Sequence, residues 1–285
     1  MYKNNKINRQ YKDRLFRAIF GSPERKEYAL SLYNAINGTD YTNAEDLQLY
    51  SIEDAVYMGM KNDVSFLFAD MLSLYEEQST LNLNMPLRGL LYLSKQYEKY
   101  IEEHKLNLYR ATLRKIPTPQ YYVFYNGSQE MPEREVLRLS DAFLTPSSDP
   151  PCLEVLATVL NINYGQNREL LARCKPLADY SKFVNCVRIK QEEGLDLPAA
   201  VDAAVDEAIE ADLLDGYFHM HKAEVVGMVL AEYDEEQTKK DWFEDGRETG
   251  RAEGIAEGRA EMLQKLSAAL NMPEQQLQEL LKSNE

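Results

Sequence analysis

The first part of the chain carries apolar residues at helical spacing. Residues 8–20 place aromatic and aliphatic side chains on one face, and a Gly-Ser-Pro sequence after them predicts the end of a helix. Residues 24–36 repeat the pattern and are followed by Asn-Gly, which is typical of a helix C-terminus. At the start of 47–58 apolar and polar residues alternate. We therefore predict two amphipathic helices followed by a short strand.

The next segment changes to a strand-like pattern. Two runs rich in β-forming residues, 63–68 and 71–78, flank a short polar break and predict an antiparallel hairpin. Pro86 to His104 then returns to helical spacing with a leucine-rich apolar side. We predict one long amphipathic helix directly after the hairpin.

The remainder of the chain divides into strands and then helices. Further strands are predicted at 120–125, 135–139 and 153–162. From residue 167 the helical period dominates, and we predict helices over 167–190, 197–215 and 217–240, followed by a C-terminal pair of helices. This order indicates an α/β (α+β) fold with a mixed sheet flanked by helices and an all-helical C-terminal region.

One internal repeat stands near the C-terminus. Glycine recurs every fourth residue over 246–261, which would form a narrow stripe on one helix face. Such a stripe permits close approach of a second helix, as in small-xxx-small contacts. The repeat is equally consistent with a helix–helix contact, including self-association, and with a pliable connector. Residues 262–270 and 273–281 then predict a small helical hairpin.

Charge is distributed unevenly along the 285 residues. The chain has 47 acidic and 32 basic side chains, a formal net charge of −15, and a hydrophobic content of 44% that excludes a disordered chain. Residues 1–190 balance to +1, whereas 191–285 carry −16. The acidic part is interpreted as a solvated helical surface that aids solubility, or as a region that repels or mimics nucleic acid.

Targeting signals and common metal motifs are missing from the sequence. No apolar run approaches the roughly 18 residues of a membrane span, and the basic N-terminus lacks the apolar region of a signal peptide. The three cysteines are scattered without metal-type spacing, which suits a reducing compartment. We therefore expect a cytoplasmic protein with no membrane partner.

Candidate chemistry is concentrated on the predicted hairpin. No phosphate-binding glycine loop and no Gly-x-Ser-x-Gly motif is present. Asp63 begins the first strand, and Glu76-x-Gln78 ends the second, so an antiparallel hairpin brings the two carboxylates together at one sheet edge. Two adjacent carboxylates suit a hard divalent cation, and a neighbouring amide can orient a water molecule. Exposed strand-end carboxylates without any metal are the alternative.

Several strings resemble the Rpn family of recombination-promoting nucleases, or putative transposases, in the PD-(D/E)XK nuclease superfamily. The resemblance covers about residues 8–190. The strings that carry it are Lys12 to Phe20, Lys61 to Phe66, Tyr75 to Thr80, Asn84 to Arg88, Tyr121 to Gly127 and Val159 to Asn167.

The resemblance implies a metal-dependent DNA endonuclease. Asp63 and Glu76 would bind Mg²⁺ (or Mn²⁺), Asp13 could complete the metal shell, and Gln78 would position the attacking water. Many superfamily members have lysine where this chain has Gln78, and a neutral amide stabilises developing negative charge less than a cation does. The implied organisation is a nuclease-like domain over 1–190, an acidic helical region over 191–245 and the repeat with its helical hairpin over 246–285.

Four basic residues are candidates for contact with DNA. Arg88, at the start of the long helix, is placed either to meet a phosphate or to pair with a nearby Glu76 or Glu77. Lys95 follows on the same helix, and Lys12 and Arg17 belong to the basic N-terminal segment. That segment is also consistent with a solvated basic arm.

Two functional hypotheses follow from these residues. The first is a DNA endonuclease, expected to act as a homodimer through its C-terminal helices because cutting both strands requires two sites. The second is a catalytically weak or inactive nuclease-fold protein that binds DNA or protein. A purely scaffolding helical protein is disfavoured by the hairpin carboxylates.

Overall fold

The structure, a computed structural model, describes residues 10–50, 64–145 and 151–228, together with Arg247. Six strands and seven helices are present within these ranges. The strands are β1 (Gln48–Leu49), β2 (Val64–Phe68), β3 (Met71–Gln78), β4 (Thr118–Tyr125), β5 (Arg134–Arg138) and β6 (Leu156–Asn161). The helices are α1 (Gln10–Phe20), α2 (Lys26–Asn37), α3 (Met85–Glu103), α4 (Arg168–Arg173), α5 (Lys175–Glu192), α6 (Leu197–Glu210) and α7 (217–228).

The strands form one mixed sheet in the order β1-β2-β3-β4-β6-β5. β2 and β3 make the predicted antiparallel hairpin, with Val64 opposite Tyr75 and Phe68 opposite Met71. β3, β4 and β6 are mutually parallel, so their carboxyl ends lie at the same edge of the sheet. β1 and β5 pair antiparallel at the two outer positions. The mixed α/β class expected from the sequence is confirmed.

Proline in the central strand β4 is accommodated by the staggered pairing. Pro119 lacks the N–H that a ladder needs, and proline is normally confined to strand ends and edges. β4 pairs with β6 only from Tyr122 to Tyr125, so Pro119 lies outside that ladder while it still faces Leu72 of β3. The first residues of β4 thus pair with β3 and not with β6.

Helices cover both faces of the sheet. The larger core packs α1, α2, α5, α6 and α7 against one face, and α5 contributes Tyr180, Phe183 and Val187 with no exposed surface. The Tyr180 hydroxyl donates to the Lys12 carbonyl at 3.1 Å, which joins α5 to α1 across 168 residues. On the other face α3 buries Tyr92 and Leu93 against the sheet residues Tyr121 and Val123. Each face of the sheet therefore has its own hydrophobic cluster.

Some helix boundaries differ from those predicted. The single helix expected over 167–190 is two helices, because Cys174 adopts an extended conformation (φ −129°, ψ 90°) just before Lys175-Pro176. In an uninterrupted helix Pro176 would lack the N–H for the bond to the carbonyl four residues before it and would clash with that carbonyl, whereas proline is well tolerated in the first turn of a new helix. The helix expected over 197–215 ends at Glu210, where left-handed residues including Asp212 and Gly216 make a turn before α7.

The compact unit that contains the sheet spans Met1–Leu230, so the predicted boundary at residue 190 falls inside it. Leu197 of α6 and Val225 of α7 belong to the same buried cluster as α1 and α5. Asp63, the Gly-rich repeat over 246–261 apart from Arg247, and the C-terminal helical hairpin lie outside the described residues. Within the described ranges, no helix combines the length and hydropathy needed to cross a membrane.

Candidate functional site

Polar and acidic side chains meet where β3 and β4 end. Gln78, the last residue of β3, pairs with Tyr125 of β4, and its carbonyl accepts from the Asn126 N–H at 3.0 Å. A cavity of about 610 Å³ opens here. It is lined by Asp13 of α1, by Glu77 and Gln78, and by residues 79–84. We call it the acidic cavity.

Glu76 is buried on the face of β3 that α3 covers. Its side chain is 1% exposed, and the Arg88 guanidinium lies 3.0 Å from its Oε2. Neither carboxylate oxygen accepts a hydrogen bond of good geometry from a described residue. Burial raises the pKa of the Glu76 carboxyl to about 7, Arg88 opposes this increase, and nearby Asp13 adds to it. Glu76 is therefore a buried carboxylate with a single cationic neighbour.

Glu77 points to the opposite face of β3, as strand alternation requires. It is also almost completely buried. Burial raises its pKa to about 8, Lys12 is the main opposing charge, and Asp13 increases the pKa further. The Ser79 hydroxyl donates to Glu77 at 3.4 Å. The sequence analysis considered Glu77 only as a possible partner of Arg88 and not as a member of the site, although its place between Glu76 and Gln78 identifies it once the adjacent α1 helix is known.

The Asp13 carboxylate interacts electrostatically with both buried carboxyls, Glu76 and Glu77. It raises the pKa of both Glu76 and Glu77, and it lines the acidic cavity beside Gln78. Its Oδ1 is buried and accepts no hydrogen bond from a described residue. The structure thus brings Asp13, Glu76 and Gln78, three of the residues proposed from the sequence, to the same end of the sheet.

Arg88 is positioned by its own helix as well as by Glu76. It donates to the Tyr92 hydroxyl at 3.2 Å and to the Met85 sulfur at 3.5 Å, both one turn away on α3. Of the two roles considered for Arg88, the structure contains the ion pair with Glu76. The Arg88 side chain as a whole remains about one-fifth exposed.

Lys12 is an internal residue in this fold. It is 4% exposed, and its ammonium group donates to the Asn126 carbonyl at 2.8 Å. Contact with the DNA backbone was expected from its place in a basic segment, but α1 turns this side chain towards β4 and α5. Arg17 is exposed on α1 and Lys95 is partly buried on α3. Neither of these two lines the acidic cavity.

Arg188 of α5 is a further member of the site that the sequence did not reveal. It donates to the side-chain oxygen of Asn126 at 2.8 Å, and its charge lowers the pKa of Glu77. Its position more than 100 residues after β3 gives no local signal of this role. Lys12, Arg88 and Arg188 together supply positive charge around the three carboxylates.

The donor chemistry suits a hard divalent cation, because carboxylate oxygens are the ligands that Mg²⁺ and Mn²⁺ prefer. The Oδ1 of Asp13 and the Oε1 of Glu76 accept no hydrogen bond from a described residue and could serve as ligand atoms, whereas the Oε2 of Glu76 faces Arg88. Within the described ranges, however, no group of three or more His, Cys, Asp or Glu side chains is arranged to hold a metal ion. Asp63, the remaining proposed ligand, is outside those ranges.

Comparison with protein-family models, with curated proteins and with solved structures gives no match for this chain. The site must therefore be interpreted from its own geometry. That geometry places buried carboxylates with raised pKa values beside an open polar cavity. Perturbed titratable groups in a cleft are typical of functional sites.

Proposed function

We propose that this protein is a metal-dependent DNA endonuclease of the Rpn type, with a PD-(D/E)XK nuclease fold. The observation that carries the proposal is the pair of buried carboxyls at the end of β3, Glu76 on one face and Glu77 on the other, with Asp13 close enough to raise both pKa values. Asp13, Glu77 and Gln78 line the acidic cavity. Two adjacent carboxylates buried away from solvent destabilise a fold. Their retention at an open cavity supports a chemical role.

Each residue has a defined task in this proposal. Asp63, Glu76 and Asp13 would hold Mg²⁺ or Mn²⁺, which when bound lowers the pKa of water and neutralises phosphate charge. The Gln78 side-chain carbonyl would orient the attacking water by accepting a hydrogen bond from it. When its ion pair with Glu76 is broken, the Arg88 guanidinium would be free to bind the phosphate through two parallel hydrogen bonds.

The proposal is tested by plasmid cleavage in Mg²⁺ or Mn²⁺ with the full-length protein. Asp63→Asn and Glu76→Gln should each abolish nicking, because each removes a carboxylate charge while it retains the side-chain shape. Glu98→Gln, an exposed residue of α3, is the matched control and should cut like the wild type. Equal cleavage by the wild type and both site variants would contradict the proposal.

A second function is supported by one observation, the Arg88–Glu76 ion pair. If this pair persists when nucleic acid binds, Glu76 is not available as a ligand, and the protein would bind DNA or protein without cutting. The presence of Gln78 at a position where many superfamily members have lysine also supports this second function. In the same assay this alternative predicts DNA binding by gel shift with no nicking in any variant.

A further inference from the structure

A second cavity, of about 400 Å³, opens at the same end of the sheet as the acidic cavity. It is lined at the ends of β4 and β6 by Gly127 and Asn161 and is backed by α5. A Cβ atom at Gly127 would overlap the carbonyl oxygen of Ser79, a residue of the acidic cavity. The two cavities are therefore separated by a single strand end, and neighbouring strands lie about 4.8 Å apart.

The lining of this second cavity is dominated by carboxamides. Its amide side chains are Gln129, Asn161, Asn163, Gln166 and Asn185. Each carboxamide offers both a donor and an acceptor. Two carboxylates, Glu130 and Glu192, outnumber the one cation, Arg188. This charge balance disfavours a phosphate and favours a neutral ligand that has its own donors and acceptors. We call this cavity the amide pocket.

One wall of the amide pocket is held in place before any ligand arrives. Asn161 is 4% exposed, donates to the Met131 carbonyl at 3.0 Å and accepts from the Asn163 amide at 2.9 Å. Asn163 in turn donates to the Gly127 carbonyl at 3.0 Å and accepts from Arg188. A network of this kind fixes side-chain positions, and preorganisation reduces the entropic cost of binding.

An aromatic side chain completes the pocket. Tyr164 lines the amide pocket and is 60% exposed, whereas most of the large aromatic side chains that the structure describes are buried. An exposed aromatic ring beside hydrogen-bonding amides is the arrangement by which proteins hold an unstacked nucleobase. The volume also lies within the range of small-molecule sites, roughly 300–1,000 Å³.

We propose that the amide pocket binds a nucleobase one or two nucleotides away from the phosphate that is cut. This inference rests on the proposed nuclease function and specifies its substrate class. The base edges of an intact duplex are already paired and cannot enter such a pocket. The substrate is therefore DNA with an unpaired base, such as a bulge, a flap or a single-stranded segment. Arg188 links the two cavities, since it lines one and lowers the pKa of Glu77 in the other.

The test measures binding of the full-length protein to three fluorescent duplexes by anisotropy, in Ca²⁺ buffer so that binding is followed separately from cleavage. One duplex has a single bulged nucleotide, the second has the same bulge without its base, and the third is fully paired. The wild type should bind the bulged base about tenfold more tightly than the abasic bulge, as expected for one stacked base. Tyr164→Ala should remove this difference.

Two variants serve as controls. Tyr164→Phe keeps the ring and should keep the preference. Tyr109→Ala removes a fully exposed tyrosine that lies outside the amide pocket, and it should also keep the preference. Equal affinity of the wild type for the bulged base and the abasic bulge, or an undiminished preference in Tyr164→Ala, would overturn the proposal. Because cleavage is assayed separately, loss of this preference in a protein that still cuts would remove the subsite and leave the nuclease function intact.

Discussion

Glu76 and Glu77 differ in their neighbours although they are adjacent in sequence. Glu76 faces Arg88 of α3, and Glu77 lies near Lys12 of α1. Burial raises the pKa of both carboxyls from 4.5, to about 7 and about 8. The folded protein therefore retains protons that the unfolded chain has already released in this pH interval.

This difference in bound protons between the folded and the unfolded state sets the sign of the pH dependence of stability. The free energy of unfolding should decrease as pH rises from about 5 to about 8, by at most about 1.4 kcal/mol per pH unit for each carboxyl. The double substitution Glu76→Gln and Glu77→Gln should flatten this dependence, whereas Glu98→Gln should leave it unchanged. Urea unfolding at several pH values, without divalent ions, measures it. A dependence equally steep in the wild type and the double variant would contradict this origin.

Among the charged neighbours of Glu76 and Glu77, Arg88 is the one whose loss should lower the free energy of unfolding most. Arg88→Gln leaves Glu76 buried without its counter-charge, and breaking a buried pair in this way costs about 3 kcal/mol. Arg17→Gln, an exposed change on α1, should stay within about 0.5 kcal/mol of the wild type. Urea unfolding at pH 8 compares the two variants. A similar small effect for both would mean that the ion pair contributes little to stability.

At the scale of secondary-structure elements, the sequence pattern predicted those features that depend on contacts between residues close together in the chain. The β2–β3 hairpin is joined by a two-residue turn in which both Ala69 and Asp70 have positive φ. The two runs of β-forming residues around this short polar break were sufficient to predict it. The parallel pairing of β3 with β4 was not predictable, because α3 and a long loop intervene. For that reason the sequence could identify Glu76 and Gln78 but not Arg188 or Asn126.

The contact between α3 and β4 depends on one small residue. Gly89 lies over the ring of Tyr121, and a Cβ atom there would overlap two ring carbons. Gly89→Ala should lower the free energy of unfolding by about 1–3 kcal/mol through overpacking, despite the higher helix propensity of alanine. Ser94→Ala, exposed on the same helix, should be neutral or slightly stabilising. Denaturant unfolding measures both, and a stabilising Gly89→Ala would show that α3 adjusts freely.

At the scale of the molecule, the described part of the acidic region is a solvated surface. α6 buries Ala200, Ala204 and Val205, while Asp202 and Asp206 remain exposed and pair with Lys222 of α7. Of the two interpretations of this charge, the solvated helical surface therefore fits α6. The interpretation of the charge beyond residue 228 stays a hypothesis.

The repeat and hairpin over 246–285 give a prediction about assembly. If these residues form the expected dimer contact, their deletion should convert a dimer into a monomer and reduce double-strand cleavage more than nicking, because each site would then act alone. Light scattering measures the mass, and plasmid assays separate nicked from linear product. An unchanged mass together with an unchanged ratio of products would exclude this role.

The hydrogen bond from Tyr180 to the Lys12 carbonyl has a consequence for biosynthesis. The lining of the acidic cavity includes Asp13 of α1, and α1 is bonded to α5, so this side of the cavity depends in part on a helix that is translated much later. A nascent chain that ends before α5 has Asp13, Glu76 and Gln78, but α1 is then held only by its other contacts, such as the hydrogen bond from Lys12 to the Asn126 carbonyl and the packing of Phe16 on Phe124. If the protein is the proposed nuclease, a ribosome-bound fragment that lacks α5 should therefore cut DNA less efficiently than the chain that includes it.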